Sequence, residues 1–164
     1  MRIVRTKKKR LGVSAVEFAV VAPVVLMLLF GILEYCRYLM TLQVTDNAVR
    51  EGARYALART DTLQTNLTTA GIEQYVSNYV ESCGMQLSNT NYLVYKCNQY
   101  GQPLDINDNI VASPNQAATF DETTFGDYIC VQVTGNYQPV VPGLTLMSAN
   151  VPVTSTAIMC SEGN

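Results

Sequence analysis

The chain has 164 residues, of which 48% are hydrophobic, and a formal net charge of −2. This length accommodates one membrane segment and one small domain but not two sizeable cores. Histidine and tryptophan are both absent, so the commonest general base, the usual base of catalytic triads and the commonest zinc ligand are missing. We therefore expect no enzyme, no cofactor and no metal.

The charge is distributed asymmetrically. Residues 1–10 contain six basic side chains and no acid, whereas the rest of the chain contains all 13 acids and five of the 11 bases. Lys and Arg resist translocation, so a basic block before an apolar run predicts a cytoplasmic leader, here residues 1–12. A nucleic-acid-binding tail is the alternative. The acidic remainder offers no basic face, and we expect no nucleic-acid partner.

An apolar run follows the leader. Residues 18–33 are uncharged and almost wholly apolar, and with residues 13–16 the segment reaches 21 residues that contain one carboxylate, Glu17. About 20 helical residues cross a bilayer core, so we predict a single-pass segment in contact with membrane lipid. A cleaved signal peptide is disfavoured, because the run ends in LEYCRY, a poor cleavage site, and continues into a helical pattern.

The same helix is predicted to continue beyond the membrane as a stalk. Between Tyr35 and Arg59 there is no proline and a single glycine, and apolar or small residues recur at three- and four-residue steps. The small residues on this face would let a neighbouring helix approach closely. The predicted helix-interface residues are Leu42, Val49, Gly52, Ala53 and Ala56. We predict one helix over residues 13–59, kinked at Pro23.

Residues 60–164 predict an α+β domain outside the cytoplasm. Thr60 and Asp61 can cap a second helix over residues 62–82. Segments rich in β-branched and aromatic residues predict three strands of a small antiparallel sheet, at residues 92–97, 128–137 and 151–160. The middle segment alternates apolar and polar residues, which predicts one buried face. Residues 98–127 are predicted to form a polar loop.

Four cysteines fall in this domain, and a fifth, Cys36, follows the apolar run. No pair has the C-x-x-C spacing of a zinc knuckle or redox pair. An even set of four in an exported domain indicates two disulfides with three possible pairings, and reduced buried thiols are the alternative. Nearness in sequence and expected strand adjacency favour the pairs Cys83–Cys97 and Cys130–Cys160.

The domain contains two acidic segments that could form binding or catalytic sites. DINDN (105–109) begins like a calcium loop, but Ile110 and Gln116 stand where glycine and the last acid are needed, so a polar turn is predicted. The acids Asp121, Glu122 and Asp127 are interpreted as a solvated loop rather than an acid/base pair.

The stretch RLGVSAVEFAVVAP, residues 10–23, combines a basic end, a glycine and an apolar helix with one acid. Cleavage after Gly12 would make Val13 a free amino terminus one helical turn from Glu17. A carboxylate in hydrocarbon costs about 2.5–3.5 kcal/mol, which an ammonium group from a neighbouring subunit would compensate. The alternative places Glu17 at the cytoplasmic interface, where its charge costs little. The residues alone leave both open.

Gly12 followed by V-S-A-V-E-F resembles the G-x-x-x-x-E-[FY] processing site of prepilins, and residues 10–58 resemble TadE-like pseudopilins. The segment AVREGARYA (48–56) is similar to an Ala/Arg/Glu/Gly-rich helix patch of that family. The last 35 residues resemble the family loosely and the middle of the chain hardly at all.

The resemblance implies a minor pilin-like component of a tight-adherence (Flp-type) pilus or secretion system. Such proteins are matured by an aspartic prepilin peptidase and meet other pilins and the pilus assembly platform. On this basis Gly12 is the last leader residue, Val13 the mature amino terminus and Glu17 the acid that registers subunits. A domain larger than that of the major Flp pilin favours a minor role. The alternative function is an uncleaved anchored domain that binds a periplasmic partner.

Overall fold

The computed structural model describes residues 11–60, 68–85, 87–124, 126–140 and 148–160. The leader residues 1–10 therefore lie outside the described part. The helices are α1 (Leu11–Thr60) and α2 (Thr69–Ser82), and the strands are β1 (Leu87–Cys97), β2 (Tyr128–Tyr137) and β3 (Val151–Cys160). Two short 3-10 turns, Pro114–Gln116 and Phe120–Glu122, lie between β1 and β2. The predicted α+β class, with a long amino-terminal helix, a second helix and a small antiparallel sheet, is confirmed.

Helix α1 runs unbroken through Pro23 for 50 residues, about 75 Å at the usual rise. Up to Leu33 its described side chains are exposed or half-buried. From Glu34 onward one face becomes buried at three- and four-residue steps, through Thr41, Thr45 and Val49. The helix thus changes its surroundings at Glu34, from the exterior to the core of its own domain.

Helix α2 packs against the small residues of α1. Its buried side chains, Ile72, Val76 and Val80, follow one another at four-residue steps, the spacing of one helix face. A Cβ added at Gly52 would overlap Cγ2 of Val76. The close approach of α2 to α1 therefore depends on the missing side chain at Gly52.

The start of α2 differs from the prediction. Thr68 is extended (φ −102°, ψ 159°), and its hydroxyl accepts a hydrogen bond from the Gly71 N–H at 3.2 Å, which is the geometry of a helix N-cap. The predicted start at residue 62 was wrong, because the extended Thr68 separates α2 from anything before it. Thr60 closes α1 instead of capping α2, and Asp61 lies outside the described residues.

The sheet has the order β1-β2-β3, and both pairs are antiparallel. Val94, Val131 and Ala157 stand in one row across the strands and join the core with buried residues of α1 and α2. This confirms the predicted buried face. Strands β2 and β3 have the predicted bounds.

Strand β1 begins five residues before its predicted start. Its first residues, LSNTN, are mostly polar, and the register with β2 shifts between Ser88 and Asn91. Asn89 adopts a left-handed backbone (φ 51°), as in a β-bulge. A polar, irregular segment has no apolar alternation, which explains why the sequence pattern missed it.

The long connection after β1 returns to cover the free edge of that strand. The Lys96 N–H donates to the Ala118 carbonyl at 2.8 Å, and the Leu104 N–H donates to the Lys96 carbonyl at 3.0 Å. These bonds satisfy backbone groups that an open sheet edge would expose. The predicted loop is thereby fixed to the sheet.

Gly52→Ala is expected to lower the free energy of unfolding by about 1–3 kcal/mol, since the added methyl group overlaps Val76. Chemical denaturation of the full chain in detergent, followed by circular dichroism, measures the change. Val76→Ala makes room for the methyl group, so the double variant should lose less than the two single losses added together.

Gly31→Ala is the matched control, because an added Cβ there meets nothing within 4 Å. It should leave the unfolding of the domain unchanged. A Gly52→Ala protein as stable as the control would contradict the close helix packing.

Candidate functional site on the amino-terminal helix

The first half of α1 has the dimensions of a membrane anchor. Of the helices in the described residues, α1 alone is long and apolar enough to cross a membrane, and its apolar window is not buried inside the protein. Phe18, for example, is 73% exposed. Gly12 and Glu34 are about 33 Å apart along the helix axis, close to the hydrocarbon thickness of about 30 Å. The exposed run therefore suits a membrane-spanning segment.

The predicted processing site lies in the first turn of the described helix. Gly12 and Val13 are both exposed, and a Cβ on Gly12 would meet nothing within 4 Å. No described part of the chain covers this peptide bond. Its cleavage stays a prediction.

Glu17 lies one helical turn beyond Val13 on the same side of α1. It is exposed, and its immediate neighbours Val16 and Phe18 are exposed apolar residues. Within the described residues its carboxylate has neither a hydrogen bond nor an ion pair. A group that compensates its charge must therefore come from outside the described chain.

The predicted helix-interface residues face the protein's own domain. Val49, Gly52, Ala53 and Ala56 are buried and Leu42 is half-buried. Three of them belong to one core with α2 and the sheet. The helix that approaches these small residues is α2 of the same chain, so this face is occupied within the fold.

A buried acid ties the sheet to α1 where the apolar segment ends. The Glu34 carboxylate accepts the phenol O–H of Tyr137 and, at 3.2 Å, the N–H of Val140. Arg37 lies one turn further along α1, with Nη1 3.7 Å from Oε1 of Glu34. The rings of Tyr38 and Tyr137 are 5.6 Å apart. We call these five residues the Glu34 junction.

The junction holds its hydrogen bond over the physiological pH range. Burial, and then the hydrogen bond to Glu34, raise the pKa of Tyr137 to about 12. The phenol therefore stays protonated and remains a donor to the carboxylate. Because Tyr137 ends β2, the bond fixes the end of the sheet nearest the apolar segment to the helix.

Sequence reasoning used Glu34 only as the boundary of the apolar run. The signal that could have revealed more is Arg37 three residues later, at the spacing of an intrahelical ion pair. A second signal is the tyrosine that ends the alternating strand 128–137 on its buried side. Their meeting across more than 100 residues has no local signature.

All five cysteines are free thiols in the structure, and their placement contradicts one of the two predicted pairs. Cys83 ends α2 just before β1 begins, whereas Cys97 is the last residue of β1. A strand of this length carries Cys97 about 30 Å from its start, far beyond the reach of a disulfide from Cys83. The predicted Cys83–Cys97 pair is incompatible with this arrangement. Cys130 and Cys160 lie on neighbouring strands, offset by two residues.

The acids of the connection after β1 are engaged in local structure. Asp105 accepts the N–H groups of Asn107 and Asn109 at 2.8 and 2.9 Å, the polar turn predicted for DINDN. Asp121 accepts the Thr69 hydroxyl at 2.9 Å, at the start of α2. These carboxylates hold turns and helix ends together.

Lys96 pairs with two further acids. Its ammonium lies 2.7 Å from Asp108 and 3.1 Å from Asp127, and its side chain is 9% exposed. The hydrogen bond to Asp108 raises the pKa of Lys96 although burial opposes it. Burial would raise the pKa of Asp127, but hydrogen bonds from Thr124 and Lys96 outweigh it and lower that pKa. The described residues contain no group of three or more side chains suited to hold a metal ion.

An exposed apolar helix that continues into the core of a small α+β domain defines a candidate single-pass, membrane-anchored protein. The family model described as TadE-like protein matches residues 12–54, from the predicted processing glycine to the small residues that contact α2. The match covers about a quarter of the chain and confirms the predicted TadE-like resemblance in this segment. It supports an association with the tight-adherence pilus system. No curated protein and no solved structure gives a match.

Tyr137→Phe is expected to lower the free energy of unfolding by about 1–3 kcal/mol, because the buried Glu34 carboxylate loses a donor. Chemical denaturation measures the loss, and hydrogen exchange at the Val140 amide should quicken. Tyr100→Phe is the control, since Tyr100 is 78% exposed. Equal stability of the two variants would count against the junction.

Acid is expected to weaken the Lys96 pairs. The lowered pKa of Asp127 means that its carboxylate stabilises the fold above its unfolded pKa of about 3.9, and that this stability is lost as pH falls through the folded pKa. The raised pKa of Lys96 affects stability at the alkaline end of the pH range. Its contribution is complete below about pH 10.5 and is lost at higher pH.

Lys96→Met should lower the free energy of unfolding at pH 7 by about 1–3 kcal/mol, because it leaves Asp127 without its cation. The free energy of unfolding should also depend less on pH between about pH 3 and 7. Asp108→Asn, at an exposed partner, should cost less than about 1 kcal/mol. A Lys96→Met protein as stable as the parent would contradict the role of this pair.

Proposed function

We propose that the chain is a minor pilin-like structural component, a pseudopilin, of a tight-adherence pilus assembly or secretion machine. One observation carries the proposal. The TadE-like segment coincides with a helix that is apolar and exposed over its first half and built into its own domain over its second half. Such a helix can be shared with neighbouring subunits only through its first half.

The proposed location is the bacterial inner membrane, with the amino terminus cytoplasmic and the domain periplasmic. The basic residues 1–10 support this orientation, because Lys and Arg are retained on the cytoplasmic side. The exposed apolar half of α1 would contact lipid first. It could later contact the helices of other pilins when the subunit leaves the bilayer for a pilus.

The proposed maturation step is cleavage after Gly12 by a prepilin peptidase. Both residues of the scissile bond are exposed, and Gly12 presents no side chain to an enzyme that binds the chain there. Cleavage removes the basic leader and leaves the α-amino group of Val13 at the start of the apolar helix.

The proposed role of Glu17 is registration of one subunit against the next. Its carboxylate is surrounded by exposed apolar residues and has no partner in the described chain. An ammonium group on Val13 of a neighbouring subunit would neutralise it, and the pairing would fix the axial offset between two helices. Other pilins and the assembly platform are the partners that this scheme requires.

We further propose that the chain has no enzymatic activity. The acids after β1 serve as caps, turns and partners of Lys96. The alternative role, an uncleaved anchor for a partner-binding domain, shares the fold and differs at the amino terminus.

Mass spectrometry of the chain from its native host should find an amino terminus at Val13. Gly12→Val should leave the leader attached, because the peptidase meets a branched side chain, and Gly31→Val within the membrane segment should still be processed. A native chain that retains Met1 would favour the uncleaved anchor and overturn the maturation step.

Glu17→Gln should insert into the membrane and be processed normally, yet give at least a tenfold loss of assembled pili. The variant keeps the shape of the side chain and removes its charge, so the defect isolates the pairing. Glu51→Gln is the control on the domain half of α1. Normal piliation of the Glu17→Gln strain would refute registration by this carboxylate.

A further inference from the structure

Three cysteines share one face of the sheet at the end far from the Glu34 junction. Tyr95 stands opposite Cys130, and Tyr128 stands opposite both Cys97 and Cys160. Residues opposite one another, and residues two apart on a strand, point to the same side of a sheet. Cys97, Cys130 and Cys160 therefore all point away from α1, and Cys130 on the central strand is the diagonal neighbour of both others.

Burial and contacts distinguish the two diagonal pairs, Cys97–Cys130 and Cys130–Cys160. Cys97 is 1% exposed and Cys130 is 0% exposed, and they form one buried cluster with Tyr95. The partly buried Leu93, Ala117 and Tyr128 pack against this cluster. Cys160 is only half-buried, and its thiol donates to the Gly126 carbonyl at 3.4 Å. Cys130 is thus in contact with Cys97, whereas the Cys160 thiol is hydrogen-bonded to the backbone of Gly126.

Cys97 and Cys130 belong to one buried cluster on the same sheet face. Interaction with the Cys130 thiol, and then burial, raise the pKa of Cys97. Interaction with the Cys97 thiol lowers the pKa of Cys130 against the effect of burial, and the Tyr95 hydroxyl acts in the same direction. In the folded protein Cys130 is therefore the more acidic thiol of the two.

We propose that Cys97 and Cys130 form a buried disulfide between β1 and β2 when the chain folds outside the cytoplasm. The proposal rests on the periplasmic location proposed above. It replaces both predicted pairs, since Cys130 can bond to only one partner and Cys83 lies at the opposite end of β1. Cys36, Cys83 and Cys160 stay as thiols.

The oxidant is the disulfide of an extracytoplasmic thiol–disulfide oxidoreductase. The Cys130 thiolate attacks one sulfur of that disulfide, releasing the other as a thiolate and forming a mixed disulfide. The Cys97 sulfur, on losing its proton, then attacks the Cys130 sulfur and displaces the oxidant's second thiolate. Two thiols lose two protons and two electrons, and the oxidant becomes a dithiol.

The burial of both sulfurs determines when the step occurs. In the folded chain an oxidant cannot reach them beneath Tyr128 and Leu93, so the bond must form before the strands are covered. For the same reason a reductant cannot reach the bond once folding is complete. The bond closes a loop that contains the whole connection between β1 and β2, and this restricts the unfolded chain.

Non-reducing peptide mapping of the full chain, exported in a bacterial host and alkylated under denaturing conditions, tests the proposal. Chymotrypsin is the suitable protease, because the sequence has no Lys or Arg after Lys96 and trypsin would leave three cysteines on one peptide. We expect Cys97 joined to Cys130 and the other three cysteines alkylated. A Cys130–Cys160 link, or alkylation of both Cys97 and Cys130, would overturn the proposal.

A second experiment, on a cysteine variant, tests the disulfide pairing and the periplasmic location separately. In Cys36→Ser/Cys160→Ser the exposed Cys83 is a reporter. Labelling of Cys83 by a membrane-impermeant maleimide on intact spheroplasts supports the periplasmic location, and labelling only after lysis refutes it. Refolding of the reduced, detergent-solubilised full chain in a glutathione buffer tests the pairing independently of location. The Cys97–Cys130 link should form there, and free thiols at both positions would refute it.

Protection of the disulfide from reduction, and of the connection after β1 from proteolysis, gives a further readout. The parent protein should resist dithiothreitol in its native state and become reduced only in denaturant. Cys97→Ser and Cys130→Ser should each speed native-state proteolysis of the connection after β1 at least several-fold, and Cys83→Ser is the matched control. Rapid reduction of the native protein would contradict a buried bond.

Discussion

One uninterrupted helix has to suit two surroundings, and the change between them occurs at Glu34. Before this residue α1 presents apolar side chains on all sides, as lipid or other apolar helices require. After it, one face carries small residues and threonines that α2 and the sheet cover. The buried Glu34 carboxylate is stable only because Tyr137, Val140 and Arg37 surround it. The domain is thereby fixed to the helix at the edge of the apolar segment.

Features with a strong local period could be predicted from the sequence. The apolar run and the three- and four-residue spacing after it gave α1, and the alternation around Val131 gave β2 with its buried face. Strand β3 followed from its β-branched residues. Gly12, Val13 and Glu17 were singled out from sequence because the glycine and the acid closely follow the basic block. The structure places all three exposed at the start of α1, and their roles stay predictions.

Features that depend on long-range contacts were missed or misplaced. The cap of α2 at Thr68 competes with equally good capping residues at 60 and 61. The first half of β1 is polar and bulged, so it forms only because β2 lies beside it. The Glu34 junction and the neighbouring thiols Cys97 and Cys130 both join distant segments. Nearness in sequence suggested Cys83 as the partner of Cys97, but a whole strand separates them in space.

The attachment of the sheet to α1 makes the orientation of the domain depend on the orientation of the apolar segment. No described break separates the apolar half of the helix from the half inside the domain. A tilt of about 20°, common for membrane helices, moves the far end of α1 sideways by about 13 Å relative to Glu34. In the proposed membrane-anchored state, the angle at which the helix leaves the bilayer therefore sets the direction in which the whole domain points.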